Sequence, residues 1–148
     1  MYYIFDTETA SLQGGVCELA YIRVDKDLNV LEEFCSYVNP ERKIEDGARA
    51  IHGITDDKVR EAPTLADLRD ANNPLFAPGI VGVGHNVSFD LRMLKGYVST
   101  SVALCTLKLA RQHLNQPSNK LEDLQTALGL PKQKSHSALG DVHTCRDC

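Results

Sequence analysis

The strongest constraint on the fold of this chain lies in its first nine residues. Tyr2-Tyr3-Ile4-Phe5 is a short apolar run of β-forming residues that leads straight into Asp6-Thr7-Glu8-Thr9. Such a run reads as a buried strand, here ending near Asp6. Side chains alternate along an extended chain, so Asp6 and Glu8 point to the same face. Two neighbouring carboxylates at the end of a buried strand repel each other and resist desolvation. A divalent cation, which prefers oxygen ligands, relieves that conflict. A strand end open to water relieves it equally, so the pair alone decides nothing.

The following segments extend the sheet. Gly14-Gly15 marks a turn, Val16 to Val24 reads as a second strand, and Asp25 to Asn29 as a polar hairpin turn. Val30 to Val38 is a third strand, closed by Asn39-Pro40. Short turns between three strands predict an antiparallel meander. The pattern then turns helical, with a short helix over 45–51, Thr55 as N-cap of Asp56 to Arg60, and a helix from Thr64 to about Ala71. Gly79 to Gly84 predicts a fourth strand. A helix follows from Asn86 or Ser88 to about Tyr97, then a fifth strand over Val102 to Cys105 and a helix to about His113. Ser118 or Asn119 opens a helix whose Leu121, Leu124 and Leu128 share a face, ended by Gly129 and Pro131. A last helix starts at Ser137. Strands alternating with helices in this order predict an α/β layer with a mixed sheet.

A chain of 148 residues fits one domain, here 1–148, with a core that needs no staples. No apolar run is long enough to span a membrane, and the start lacks a signal-peptide pattern, so the expectation is a cytoplasmic protein with no membrane partner. Five cysteines and no secretory signal argue against a disulfide framework. Cys17, Cys35 and Cys105 read as small core residues. The net charge of −4 is unevenly spread. Residues 1–90 hold 16 acids and 8 Lys or Arg, whereas residues 91–148 hold 4 and 8. An acidic half suits a metal site and a basic half suits phosphates, although ordinary surface variation gives the same split.

Two further elements carry acids. In His85-Asn86-Val87-Ser88-Phe89-Asp90 a glycine-rich strand turns into a helix, with Asp90 in its first turns. In His136-Ser137-Ala138-Leu139-Gly140-Asp141 the histidine sits at a helix start, where the positive end of the dipole favours neutral imidazole. Each element alone reads equally well as surface polarity. Together, Asp-Thr-Glu-Thr at 6–9, Ala50-Ile51-His52-Gly53-Ile54-Thr55, His85-Asn86 with Phe89-Asp90, Thr106 to Arg111, and His136-x4-Asp141 resemble the DEDDh exonuclease family. That family includes the proofreading subunit of bacterial replicative polymerase, ribonuclease T and oligoribonuclease. The resemblance runs from residue 1 to about 147.

The resemblance implies an RNase H-like fold: a mixed five-stranded sheet, strands 1–3 antiparallel, strands 4 and 5 parallel to strand 1, flanked by helices. It also implies metal-dependent 3′→5′ hydrolysis of a nucleic-acid strand to nucleoside 5′-monophosphates. Asp6, Glu8, Asp90 and Asp141 match the family's metal-binding acids, and His136 its general base. Two Mg²⁺ are implied, with Mn²⁺ able to substitute. Two such ions add +4 to a formal charge of −4 and bring the loaded protein to zero, which eases binding of a polyanion. Likeness to DNA-degrading members favours DNA 3′ ends, single-stranded or duplex, over an oligoribonuclease-like action on RNA. Oligomeric state, including a homodimer, stays open.

The same resemblance marks substrate contacts. Leu12 and Gln13 match an apolar wedge beside the terminal bases, where stacking is sequence-tolerant; Leu12 packed in the core is the alternative. Backbone groups near Thr7 and Thr9 would meet the terminal sugar. His52 would line the nucleotide pocket, or close a helix beside Gly53. Asn86 would bridge toward the strand end, while His85 reads as structural. Lys108 and Arg111 are candidates for phosphate contacts, and Lys132 and Lys134, near His136, stronger ones.

Two features depart from the pattern. Only seven residues follow Asp141, so the final helix is expected to be short or truncated and marginal by itself. Cys145-Arg146-Asp147-Cys148 with His143 raises a different class of reading, a zinc-binding interaction module, although zinc's usual four-ligand spacing is missing. An inactive binding domain is the third reading, and the presence of all five site residues argues against it.

Overall fold

A computed structural model describes all residues, 1–148. Its centre is a five-stranded sheet in the order β3-β2-β1-β4-β5. The strands are β1 (Tyr2–Ser11), β2 (Gly14–Val24), β3 (Val30–Tyr37), β4 (Ile80–Gly84) and β5 (Thr100–Cys105). β1 pairs antiparallel with β2, and β2 with β3; β4 runs parallel to β1, and β5 to β4. This is the mixed sheet expected from the sequence. The helices are α1 (Asp46–His52), α2 (Asp56–Val59), α3 (Leu65–Asp70), α4 (Val87–Met93), α5 (Thr106–His113), α6 (Leu121–Ala127) and α7 (Ala138–Asp147). None is long and apolar enough to cross a membrane.

β1 does not end near Asp6. It continues to Ser11 because β2 supplies a partner along its whole length, with Asp6 opposite Ala20 and Glu8 opposite Glu18. A bulge between Glu8 and Thr9 shifts the register. The hairpin turn is then Leu12-Gln13, not Gly14-Gly15, and the glycines open β2. Gly15 has φ 84°, and the stem of Arg42 packs so closely over it that any Cβ would clash.

The alternation of β1 and β2 fills both faces. Phe5, Leu19 and Tyr21 pack with Val87 and Leu94 of the α4 side. Ile4, Ala20 and Ile22 pack with Ala138, Val142 and Cys145 of α7. A third cluster, Ala10, Cys17, Ile44, Ile54 and Val59, seats α1 and α2 at the far end of the hairpin. The core reading holds for Cys17 but not for Cys35, which is exposed on edge strand β3; Cys105 is half-buried. α4 is shorter than the expected run to Tyr97 and is capped at Leu94. α6 begins after Lys120, without the expected side-chain cap from Ser118 or Asn119. α7 is capped by Ser137, whose Oγ accepts from Gly140 N at 3.2 Å.

Candidate active site

The acids converge where β4 stops. Asp6 and Glu8 share the β1 face that α7 covers, and Asp141 lies in the first turn of α7. Ligand oxygens of Asp6, Glu8 and Asp141 all lie within 4.8 Å of one another. Asp90 reaches the same place from the other layer. β4 pairs with β1 only at Tyr3 and Ile4, so beyond that point the β1 edge is unpaired. Asp90, 3% exposed, fills this notch: its Oδ1 accepts from Thr7 N at 3.0 Å and from Thr7 Oγ1 at 2.7 Å. Asn86, N-cap of α4, turns the chain into the notch with a left-handed φ of 68°.

This packing makes the acids strained as anions. Burial, with the charges of Asp90, Asp141 and Glu8, raises the Asp6 pKa well above the carboxylate range. Burial and the charges of Asp141, Glu18 and Asp90 push Glu8 up to about 8. Burial pushes Asp90 up to about 7 against the Thr7 hydrogen bonds, which favour its anion. Burial raises Asp141 to about 6, opposed by His136, whose backbone N–H donates to it. Carboxylates brought together at such electrostatic cost suit a divalent cation, whose charge removes the repulsion and whose preference is for oxygen donors. The residues present therefore fit the implied metal.

His136 lies just ahead of α7, in a left-handed conformation at φ 57°. Its half-exposed ring faces Glu122, with Nε2 3.3 Å from Oε2. Glu18 holds the start of α7 to the sheet by accepting from Ala138 N at 2.7 Å, where an anion also suits the helix dipole. Sequence reasoning missed Glu18 and Glu122. Glu18 left a signal, as the lone acid in the apolar stretch Val16 to Ile22.

A cavity of about 420 Å³ adjoins the acids on the hairpin side. Thr7, Glu8, Thr9, Leu12, Ile51, His52 and Phe89 line it. Leu12 is 73% exposed, so it is not a core residue. Gln13 is exposed beside it at the tip. His52 lines the cavity but is also a brace: Nε2 donates to Thr9 O at 2.9 Å and Nδ1 accepts from Ile54 N at 3.0 Å. The helix cap is Gly53, not His52. The Thr7 N–H and Thr9 carbonyl, expected to meet a sugar, are thus already engaged by Asp90 and His52.

A second cleft, about 510 Å³, opens on the other side of His136 and Asp141. His85 braces it, as expected of a structural residue. Its Nδ1 meets Thr106 Oγ1 at 2.9 Å, and Nε2 donates to Asn119 O at 2.7 Å. The cations lining this cleft are Arg111 and Lys120. Lys132 lines a different depression beside α6, and Lys134 lines neither cavity. The zinc arrangement does not form. His143 turns to Glu33 on β3 at 2.6 Å, while the buried Cys145 Sγ sits 3.3 Å from Thr106 Oγ1. The one convergent set of metal-ligating side chains is Asp6, Glu8 and Asp141.

Comparison with known proteins agrees with this geometry. A model of an exonuclease family matches residues 3–147. The chain belongs to this family. Its sheet order and strand directions are those of the RNase H-like exonuclease fold. Exodeoxyribonuclease 10 of Escherichia coli K12 is 38% identical over 112 residues, covering 76% of this chain and 48% of that protein. A DNA polymerase III subunit epsilon-like protein of Rhodobacter capsulatus is 34% identical over 155 residues, covering 95% of this chain and 22% of that protein. The chain thus spans half or less of the length of these curated relatives. Among solved structures, exonuclease X in complex with 5′ overhanging duplex DNA superposes with TM-score 0.81 at 30% identity, over 99% of this chain and 88% of the other.

Proposed function

We propose that this chain hydrolyses phosphodiester bonds from the 3′ end of DNA, releasing nucleoside 5′-monophosphates in a reaction that requires two divalent cations, Mg²⁺ or Mn²⁺. The observation that carries the reading is the convergence of Asp6, Glu8 and Asp141 within 4.8 Å, with Asp90 in the adjoining notch and His136 beside Asp141. Family membership and the DNA-bound neighbour support it. Asp6, Glu8, Asp90 and Asp141 would hold the cations, which supply positive charge that eases ionisation of a water and stabilises the departing oxygen.

The protein's own groups do the rest. His136, exposed at the mouth of the acid cluster, takes the proton of the attacking water through a ring nitrogen. Leu12 and Phe89 offer apolar surfaces on which a terminal base stacks without regard to sequence. The Thr7 hydrogen bonds favour the Asp90 anion against burial and hold its carboxyl in place, and His52 fixes the backbone of Thr9 at the cavity floor. Mononucleotide release from a 3′-labelled DNA oligomer, abolished by chelator, is the expected result, with a matched RNA oligomer digested more slowly. Asp6→Ala should lose turnover while keeping the fold. Digestion by Asp6→Ala at wild-type speed refutes the mechanism.

A further inference from the structure

The cleft beyond His136 shares only His136 and Asp141 with the scheme above, and the cations that line it have no part there. Its two walls are tied together by one side chain. His85, at the end of β4, binds Thr106 at the start of α5 and the carbonyl of Asn119 just before α6. This brace fixes where Arg111, further along α5, and Lys120, next to Asn119, can present their charges. Both line the cleft together with His136 and Asp141.

Arg111 differs from the other arginines of the chain. Of the eight, Arg23, Arg42, Arg49, Arg60, Arg69 and Arg146 pair with carboxylates. Arg92 donates to the carbonyl of Leu12 and stacks on Phe89. Arg111, though exposed, makes no ion pair, side-chain hydrogen bond or aromatic contact; Lys120, exposed as well, makes no ion pair, like every lysine of the chain but Lys26. Acids are near, but they are committed elsewhere: Glu122 faces His136, and Asp141 belongs to the carboxylate cluster. A planar fork of donors and an ammonium, both unengaged in one polar cleft, match a phosphate group.

We propose that this cleft is a phosphate subsite in which Arg111 and Lys120 hold a phosphate beside the reaction centre. The phosphate is either an internucleotide phosphate of the strand or the 5′-phosphate of the released nucleotide; the chemistry is shared. The subsite rests on the exonuclease reading and extends it to residues outside the acid cluster.

The test uses the full chain, wild type and Arg111→Ala, Arg111→Lys and Lys120→Ala, on a labelled oligodeoxythymidylate over a range of salt. If the strand supplies the phosphate, Arg111→Ala raises KM about tenfold with kcat little changed, as loss of a charge-assisted hydrogen bond implies. The slope of log(kcat/KM) against log salt then becomes shallower by about one. If the released nucleotide supplies it, the inhibition constant of thymidine 5′-monophosphate rises about tenfold instead, on the same reasoning. Arg111→Lys restores part of either effect, and Lys120→Ala changes the same quantity less. An active enzyme in which neither quantity moves more than twofold on Arg111→Ala overturns the subsite alone. An inactive wild type overturns the exonuclease reading instead. Calorimetric binding of thymidine 5′-monophosphate to wild type and Arg111→Ala, which needs no turnover, then decides the subsite.

Discussion

Removing the metal should leave a protein whose stability falls as pH rises, and Glu8 sets the scale. Its carboxyl is pushed from 4.5 to about 8 by burial and by the charges of Asp141, Glu18 and Asp90. A raised pKa means that the folded chain binds this proton more tightly than the unfolded chain does. The associated stability is complete below the unfolded value and is lost as pH climbs through the folded one. The window is therefore pH 4.5 to 8, the reverse of ordinary acid denaturation. At 1.36 kcal/mol per unit the shift amounts to about 4–5 kcal/mol as an upper figure, a large share of a typical domain's stability. Glu8→Gln removes the charge at nearly constant shape. In chelator at pH 8 the variant should melt several degrees above wild type, since about 1 kcal/mol moves a domain of this size by about 2–4 °C. At pH 4 the two should coincide. Excess Mg²⁺ at pH 8 should reverse the order by stabilising only wild type strongly. Thermal melts of both proteins, with chelator and with Mg²⁺, provide the measurement. A chelated wild type as stable at pH 8 as at pH 5 would falsify the claim that these acids are held together against their own repulsion.

Thr7→Val removes the hydroxyl donor to buried Asp90, an interaction of about 1.5–3 kcal/mol when the acceptor is charged. Asp90 should then hold its proton to higher pH, and calorimetric titration at neutral pH should show weaker Mg²⁺ binding; unchanged affinity refutes the role given to Thr7. Leu12→Ala should lower kcat/KM on DNA several-fold through lost base stacking, while the melting temperature stays put because Leu12 is exposed. A drop in melting temperature instead points to a packing role. His136→Ala should cut kcat with Mg²⁺ affinity retained, since its side chain is not among the converging ligands. Loss of metal binding in that variant argues against a proton-transfer role.

The sequence was most legible where local chemistry decides structure. The β-forming run, the Asp-x-Glu spacing and the glycine-rich strand before Asp90 gave the sheet and three of its acids, because alternation and turn chemistry are short-range. The errors arise where a distant partner decides. The apolar run by itself predicts a β1 that ends near Asp6, yet β2 pairs with the polar residues after it up to Ser11. The partner of Thr7 is equally invisible locally: β4 ends early and leaves a notch from which Asp90 accepts the Thr7 amide and hydroxyl. Closeness in sequence to His136 does not place Lys132 in the cleft beside it: Lys132 lines a separate depression with Gln125 and Gly129. Arg111 and Lys120 reach the cleft through the His85 brace, whose partners lie 21 and 34 residues away. In the site and subsite proposed above, three acids lie in the acidic half of the chain and both cleft cations in the basic half.

The packing of α7 explains how the site tolerates its own repulsion. The place of Asp141 is set by contacts between α7 and the rest of the fold. Ala138, Val142 and Cys145 bury against Ile4, Ala20 and Ile22 on the face that also carries Asp6 and Glu8. Glu18 accepts from the first amide of α7, and Gln125 of α6 donates to Thr144 at 3.1 Å. Apolar burial pulls the helix onto the sheet, while the acids it brings together push it off. The balance leaves Asp141 close enough to share a cation with Asp6 and Glu8, and a cation there turns the opposing force into an attractive one. In the proposed site, metal binding and docking of α7 would therefore be coupled: loosening the apolar contact should weaken the metal site, and a bound metal should tighten the helix in return.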